Sequence, residues 1–196
     1  ISLPSADLND YGMASNEAKL NRPSTNAYEP GSVFKIFTVG IVTDEKGISA
    51  NDSFLCDGAY EKRLGNGETV RIKCLEHHGW LTPREALKYS CNDVLGQISD
   101  RISDDQFINR IKQLGFGEKT GIELSGETSG FVKDPDNKTW SARSKPTIAI
   151  GQEISVSALQ MVQAATAIAN GGVPVKLRVI SKITDKEGNT VYEAAP

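Results

Sequence analysis

The chain has 196 residues, of which 38% are hydrophobic and 24% are charged, and its formal net charge is −3. This composition is typical of a globular protein, and the length is sufficient to bury a sizeable core. The weak negative charge, without a basic run or a phosphate-binding glycine loop, argues against a nucleic-acid partner. No apolar stretch reaches the about 18 residues that a membrane-spanning helix needs, and no signal peptide is recognisable.

The first predicted helix runs from Ser32 to about Glu45, between a turn at Pro30-Gly31 and a stop at Gly47. Its apolar residues almost encircle it, which predicts a helix buried at the centre of a domain. These residues are Val33, Phe34, Ile36, Phe37, Val39, Ile41 and Val42.

Ser32 and Lys35 lie three residues apart on this helix, so the serine hydroxyl and the lysine amine are expected to meet on one helix face. Burial lowers the pKa of a lysine, which would leave a free amine able to take the serine proton. The pair is therefore a candidate nucleophile and base. The alternative is a serine N-cap with a lysine directed to solvent.

Cys56 and Cys74 flank a Gly-rich, charged segment that is typical of a hairpin, which would bring the two residues together. A disulfide and two free thiols both remain open, because sequence does not supply the geometry. Cys91 is interpreted as a small packing residue that points inward.

The run from Cys74 to His78 contains a thiol, a carboxylate and two imidazoles, all of which are zinc-ligand types. Its spacing is poor, because adjacent histidines rarely bind one ion and no C-x-x-C or H-x-x-x-H partner is present. A loop that turns at His78-Gly79 is therefore preferred, and neither a metal nor a cofactor is predicted. A Ser-His-Asp triad is disfavoured because Lys35 already supplies a base.

A short second helix begins after Thr82, with Pro83 in its first position and Glu85 completing a capping box. Ser90 and Asn92 follow at its far end. The Ser90 hydroxyl could relay a proton while the Asn92 amide holds a substrate carbonyl, the two roles that an acyl-transfer site needs beside its nucleophile. Asn92 as a turn residue is the alternative.

A helix capped by Ser103 and Gln106 is predicted next, and glycines 115, 117 and 121 then indicate a loop. Its expected buried stripe is Phe107, Ile108, Ile111 and Leu114.

The last predicted helix starts near Ser157 and stops at Gly171, and a hairpin with strands at 177–184 and 190–193 follows it. The expected buried stripe of this helix is Leu159, Val162, Ala165 and Ile168.

Tyr28-Glu29-Pro30-Gly31-Ser32 with Lys35, followed by Ser90-Cys91-Asn92, resembles the S-x-x-K and S-x-N motifs of the penicillin-binding proteins, whose third motif is K-T-G. Asn92 in place of aspartate is similar to the division-type members of class B. The likeness covers essentially the whole chain. It includes Ser2-Leu3-Pro4-Ser5, Asn21-Arg22, His78-Gly79-Trp80-Leu81-Thr82, Leu114-Gly115-Phe116-Gly117, residues 120–127, Ile150-Gly151-Gln152 and residues 167–172.

The resemblance implies a D,D-transpeptidase of peptidoglycan synthesis, without a cofactor. Ser32 would attack the D-alanyl-D-alanine amide of a stem peptide, with Lys35 taking the serine proton. Ser90 would shuttle a proton to the leaving amine, and Asn92 would hydrogen-bond the substrate. β-Lactams would acylate Ser32, and release of the acyl group to water instead of an amine would make the protein a carboxypeptidase.

Lys119-Thr120-Gly121 spells K-T-G, but it is interpreted as a coincidence. The functional motif lies on a strand beside the cleft, where its backbone helps to form the oxyanion hole, whereas 119–121 belong to the predicted glycine-rich loop. In the family the true K-T-G follows a later hairpin. The chain is therefore expected to be one partial transpeptidase domain, residues 1–196, that is inactive by itself.

The fold implied by the resemblance is the α+β β-lactamase/transpeptidase-like fold, in which helices pack on a mainly antiparallel sheet. In this chain the sheet is expected to be incomplete and helix to exceed strand. The resemblance also implies a membrane anchor preceding Ile1, a periplasmic or extracytoplasmic catalytic domain and cell-division partners. The alternatives are a β-lactam sensor, a β-lactamase or a non-catalytic module of the division machinery.

Overall fold

The structure is a computed structural model that describes residues 5–194. Its α-helices are α1 (Arg22–Thr25), α2 (Lys35–Asp44), α3 (Pro83–Lys88), α4 (Asn92–Ser99), α5 (Asp104–Gln113), α6 (Ser144–Ala149) and α7 (Ala158–Ala169). Its strands are β1 (Phe54–Cys56), β2 (Ala59–Arg63), β3 (Thr69–Lys73), β4 (Gly79–Leu81), β5 (Phe131–Val132), β6 (Ile154–Ser155), β7 (Lys182–Thr184) and β8 (Thr190–Glu193). Two 3₁₀ segments span Leu8–Met13 and Gly31–Phe34. Helix exceeds strand, as predicted.

The strands form four separate antiparallel pairs within residues 5–194: β1 with β4, β2 with β3, β5 with β6, and β7 with β8. The β2–β3 and β7–β8 hairpins were both predicted from sequence, although β7 begins at Lys182 and not at 177. The strand end expected at residues 2–5 lies outside the described residues, except for Ser5, which is not in a strand. No helix of the described part of the chain is long and apolar enough to cross a membrane.

Helix α4 lies at the centre of the helical part of the molecule. It contacts α2, α3 and α6 and also the first three strands. Its Val94, Leu95 and Ile98 side chains are completely buried, because neighbours surround the helix on several sides. Since α4 begins at Asn92, this packing fixes the position of the second predicted motif.

The helix predicted from Ser32 is present, but it starts as the 3₁₀ segment Gly31–Phe34 and becomes α-helical only at Lys35. Its expected burial on all sides is wrong. Val33 and Ile36 are 62% and 40% exposed, whereas Phe34, Lys35 and Phe37 are buried. The physical reason is that α2 packs mainly against α3, α4 and α5, and the side that carries Val33 and Ile36 remains open to solvent.

The α5 stripe is confirmed for Phe107, Ile108 and Ile111, with Leu114 partly buried, but the α7 stripe is wrong. Helix α7 buries Gln160, Met161, Ala164 and Ala167 and leaves Val162 and Ile168 about half exposed. Gln160 turns inward because its side-chain amide donates to the carbonyls of Glu118 and Ser129. The need to satisfy these two carbonyls therefore decides which face of α7 points inward. The sizes of the apolar side chains had indicated a different face.

Three aromatic rings form the centre of the core beside α2. The ring of Phe116 lies 5.2 Å from the rings of both Phe34 and Phe37, measured between centroids, and all three side chains are almost completely buried. Phe34 and Phe37 flank Lys35 in sequence, so this cluster also anchors the start of α2. Phe116 comes from the loop after α5 and therefore ties that loop to the helix.

Replacing Phe116 with alanine is expected to lower the free energy of unfolding by about 3–5 kcal/mol, because it removes a buried ring and leaves a cavity. Phe131→Ala is the matched control, since Phe131 is 51% exposed and its loss should cost about 1 kcal/mol or less. Urea denaturation followed by circular dichroism measures both values. Equal losses would contradict the assignment of Phe116 to the core.

Candidate active site

Ser32 is positioned by backbone contacts between the segment before it and residues 151–156. Tyr28 and Val156 exchange two backbone hydrogen bonds, and the Gly31 N–H donates to the Gly151 carbonyl at 2.8 Å. The Glu29 carboxylate accepts from the Glu153 N–H at 2.9 Å. Ser32 follows directly and is exposed, so its hydroxyl is open to solvent.

Glycines lie on both sides of the contact between residues 31 and 151. Both have positive φ angles, of 56° and 80°, which side chains rarely tolerate. A Cβ atom on Gly151 would lie only 2.1 Å from the Gly31 carbonyl oxygen. Gly151 therefore positions the nucleophile segment, a role that the sequence did not reveal. The sequence signal at this position was the family resemblance of Ile150-Gly151-Gln152, but only a structure shows which segment approaches Gly151.

Lys35 is 1% exposed, and its amine makes three hydrogen bonds. It donates to the Ser90 carbonyl at 2.7 Å, to the Ser90 hydroxyl at 2.9 Å and to the Asn92 side-chain carbonyl at 2.6 Å. An ammonium has three N–H donors, so these acceptors satisfy it completely. A buried lysine next to a candidate nucleophile is thus oriented by the second motif.

Burial lowers the pKa of Lys35 from 10.5 to about 8, because desolvation disfavours the charged ammonium. The thiols of Cys74 and Cys91 act in the opposite direction, since their ionised forms would attract the ammonium. At pH 7 roughly a tenth of the molecules then carry the free amine. Lys35 can therefore accept a proton near neutral pH, as predicted from its position.

Ser90 and Asn92 reach Lys35 because of the tight turn between α3 and α4. The capping box of Thr82 and Glu85 and the N1 proline are present as predicted and start α3. At the other end, Ser90 adopts a left-handed backbone conformation with φ of 53°, and Cys91 caps α4. The turn directs the Ser90 and Asn92 side chains to the same amine.

The Asn92 amide is held at both ends. Its oxygen accepts from Lys35, and its nitrogen donates to the Lys73 carbonyl at 3.1 Å. Within residues 5–194 the second hydrogen of the nitrogen has no acceptor. Asn92 thus connects β3 to the lysine and keeps one donor that a substrate carbonyl could use.

The structure brings Lys35, Ser90 and Asn92 into direct contact, with Ser32 one helical turn away. The Lys35 backbone N–H donates to the Ser32 carbonyl. Within residues 5–194, the hydrogen bonds of the lysine amine go to Ser90 and Asn92 and none goes to the Ser32 hydroxyl. The expected meeting of the lysine amine with the Ser32 hydroxyl is therefore not a hydrogen bond in this structure, because Ser90 and Asn92 engage the amine.

Lys119, Thr120 and Gly121 form a loop and not a strand, as predicted. The Glu127 carboxylate accepts from the Thr120 N–H at 2.9 Å, from the Gly121 N–H at 3.2 Å and also from the Thr120 hydroxyl. The hydroxyl that a functional K-T-G would offer to a ligand is thus occupied within the loop. Lys119 itself is exposed.

The three cysteines lie together and are free thiols. Cys91 is completely buried, as predicted, and its sulfur lies 3.6 Å from that of Cys74. His78 joins the group, since its Nδ1 lies 3.4 Å from the Cys56 sulfur and 3.7 Å from the Cys74 sulfur. Glu76 and His77 are exposed, so the sequence run from Cys74 to His78 supplies only two members of this cluster.

Residues 2–196 match the sequence model of the family described as penicillin binding protein transpeptidase domain. The chain belongs to this family. It is 33% identical to stage V sporulation protein D of Bacillus subtilis over 174 residues, which cover 87% of the chain and 26% of that relative. It is 26% identical to peptidoglycan D,D-transpeptidase FtsI of Escherichia coli over 189 residues, which cover 96% of the chain and 31% of that relative.

A solved structure of the transpeptidase family has the same fold. The crystal structure of penicillin-binding protein 3 from Mycobacterium tuberculosis, complexed with aztreonam, matches with a TM-score of 0.82 and 28% identity. The match covers 95% of the chain and 41% of that structure. The predicted transpeptidase-like fold is thereby confirmed, and the chain spans less than a third of the length of the two curated relatives.

Replacing Gly151 with alanine is expected to displace Gly31 and, with it, Ser32, because the added Cβ collides with the Gly31 carbonyl. Covalent labelling by a fluorescent penicillin should fall at least about 100-fold, the loss that a misplacement of about 1 Å can cause.

Gly121→Ala is the matched control for this substitution. Gly121 has a similar φ of 76°, but nothing lies within 4 Å of an added Cβ. Both variants therefore place an alanine at a strained positive φ, and only Gly151→Ala also adds the collision with the Gly31 carbonyl. Labelling that falls equally in both variants would show that strain alone is responsible.

Proposed function

We propose that the full-length protein is a penicillin-binding serine D,D-transpeptidase, which cross-links peptidoglycan stem peptides through an acyl-enzyme at Ser32. The observation that carries the proposal is the buried Lys35 amine, which bonds to Ser90 and Asn92 one helical turn from the exposed Ser32. The similarity to peptidoglycan D,D-transpeptidase FtsI of Escherichia coli supports the reaction class.

In the first step the Ser32 hydroxyl oxygen attacks the carbonyl carbon between two terminal D-alanines. The free amine of Lys35 takes the hydroxyl proton as the new carbon–oxygen bond forms, and the negative charge develops on the former carbonyl oxygen. The lowered pKa of Lys35 supplies this free amine near neutral pH. The Asn92 amide nitrogen, which has one hydrogen left, donates to a carbonyl of the substrate.

In the second step the carbon–nitrogen bond breaks and the terminal D-alanine leaves as an amine. Its nitrogen needs a proton, which the Ser90 hydroxyl can donate while the Lys35 ammonium, 2.9 Å away, replaces it. An amine of a neighbouring stem peptide then attacks the Ser32 ester, giving its proton back through the same pair. The cross-link forms and Ser32 is regenerated.

A β-lactam resembles the D-alanyl-D-alanine dipeptide and contains one reactive amide in its ring. Attack by Ser32 would open this ring, and the former leaving group would stay attached to the acyl-enzyme. The solved relative complexed with aztreonam, a β-lactam, supports this part of the proposal. A stably labelled Ser32 is therefore the expected product with penicillin.

The proposal extends to the cellular setting. Stem peptides are cross-linked outside the cytoplasm, so we expect a periplasmic or extracytoplasmic catalytic domain, tethered to the membrane by an anchor that residues 5–194 do not contain. The asparagine at position 92 supports a division-type protein with cell-division partners.

We also propose that residues 1–196 form part of one transpeptidase domain, which the family match to residues 2–196 supports.

Ser32→Ala is expected to abolish covalent labelling of the full-length protein by a fluorescent penicillin, because the nucleophile is lost. Lys35→Ala should slow labelling by about 10²–10⁴-fold, the usual contribution of a positioned base. Gel fluorescence after timed exposure measures both. Thermal denaturation checks that each variant is folded.

Lys119→Ala is the matched control, since Lys119 belongs to the K-T-G of the loop and should leave labelling unchanged. Label that persists in Ser32→Ala would refute the proposed nucleophile. Rapid loss of the label by hydrolysis in the unmodified protein would indicate a β-lactamase.

The rate of acylation is expected to rise with pH up to about 8 and then to level off, because the free amine of Lys35 is the active form. The pKa of Lys35 is lowered in the folded protein, so below pH 8 the rate should fall about tenfold per pH unit. Stopped-flow mixing with a chromogenic cephalosporin measures the profile. A rate that is constant between pH 6 and 8 would contradict the role of Lys35 as base.

A further inference from the structure

The cluster of Cys56, Cys74, His78 and Cys91 has the composition of a metal site. The three sulfurs and one ring nitrogen of the four side chains all lie within 4.8 Å of one another. Cys56 ends β1, Cys74 follows β3, His78 precedes β4, and Cys91 is the N-cap of α4. Four elements thus contribute one ligand atom each to a common point.

The distances fit a tetrahedral zinc ion. With Zn–S bonds of about 2.3 Å, two sulfurs of a tetrahedron lie about 3.8 Å apart, and a sulfur and a ring nitrogen lie slightly closer. The cluster has 3.6 Å between the sulfurs of Cys74 and Cys91. It has 3.4 Å and 3.7 Å from His78 Nδ1 to the sulfurs of Cys56 and Cys74.

Further contacts orient the ligands. The Val94 N–H donates to the Cys91 sulfur at 3.4 Å, an arrangement that stabilises a thiolate. The His78 ring stacks on the Tyr89 ring, with centroids 5.6 Å apart, while its Nδ1 lies beside the sulfurs. Hydrogen bonds such as that from Val94 help to orient the ligands of zinc sites.

We propose that Cys56, Cys74, His78 and Cys91 bind one structural zinc ion. Three thiolates and one imidazole complete a tetrahedral shell, which leaves no position for water or substrate, as in structural sites. Binding releases the thiol protons to solvent and involves no change of oxidation state. A disulfide would use only two of the three sulfurs, whereas zinc uses all three together with the histidine.

The ion would stabilise the turn that carries the second motif. Cys91 lies between Ser90 and Asn92, whose side chains bond to Lys35. Zinc would connect this turn to the ends of β1 and β3 and to the loop before β4. The metal would therefore position Ser90 and Asn92 without contacting the substrate.

The test uses the full-length protein, purified in reducing buffer with a tag that contains no histidines. Metal analysis by inductively coupled plasma mass spectrometry should find about one zinc per chain. Cobalt(II) added to metal-free protein should give the strong visible bands of a tetrahedral thiolate site. Zinc content requires no activity, so this result is independent of the proposed transpeptidase function.

Cys56→Ser and His78→Ala should each weaken zinc binding by more than the about 10–100-fold that loss of a supporting contact costs. His77→Ala is the matched control, because His77 is the adjacent, exposed histidine and lies outside the cluster. It should retain about one zinc per chain. Both ligand variants should also unfold at a lower temperature than His77→Ala in the presence of zinc.

Three outcomes would overturn the proposal. The first is reduced, folded protein that contains no zinc and gives no cobalt bands. The second is zinc that His77→Ala removes while Cys56→Ser and His78→Ala retain it. The third is a disulfide within the cluster in protein purified without reductant, together with no zinc uptake after reduction.

Discussion

The burial of one amine, that of Lys35, is the constraint on which the candidate active site depends. A charged ammonium that is 1% exposed is tolerated only if its donors are satisfied, and three acceptors on Ser90 and Asn92 satisfy them. The same burial lowers the pKa to about 8 and so opposes folding below that pH. Stability should be regained as pH rises from about 8 towards 10.5, where only the unfolded chain remains protonated.

The parts of the site that could be predicted from sequence are those encoded by local patterns. The helix that carries Ser32 and Lys35 and the capping box before Ser90 depend on neighbours within a few residues, and both are present in the structure. The loop at Lys119 was predictable for the same reason, since its glycines mark it locally. Family resemblance added the order of the motifs, which no local pattern contains.

The parts that could not be predicted depend on contacts between distant segments. Gly151 lies 120 positions after Gly31, and nothing in either neighbourhood indicates that the two backbones meet. The inward face of α7 is likewise chosen by Gln160, whose amide satisfies carbonyls of a loop more than 30 residues away. Apolar periodicity favoured the larger side chains and therefore the wrong face.

The cysteine cluster shows why the middle residue of the second motif matters. Successive side chains of the turn point in different directions: Ser90 and Asn92 reach the Lys35 amine, while Cys91 is completely buried against Cys74. Any interaction that fixes the Cys91 sulfur therefore also fixes the direction of its two neighbours, because one peptide unit separates them. If the Cys91 sulfur is held in place, the positions of Ser90 and Asn92 around the Lys35 amine are held too. The geometry around Lys35 then depends on contacts that Cys91 makes with β1, β3 and the loop before β4, all of which lie outside the cleft.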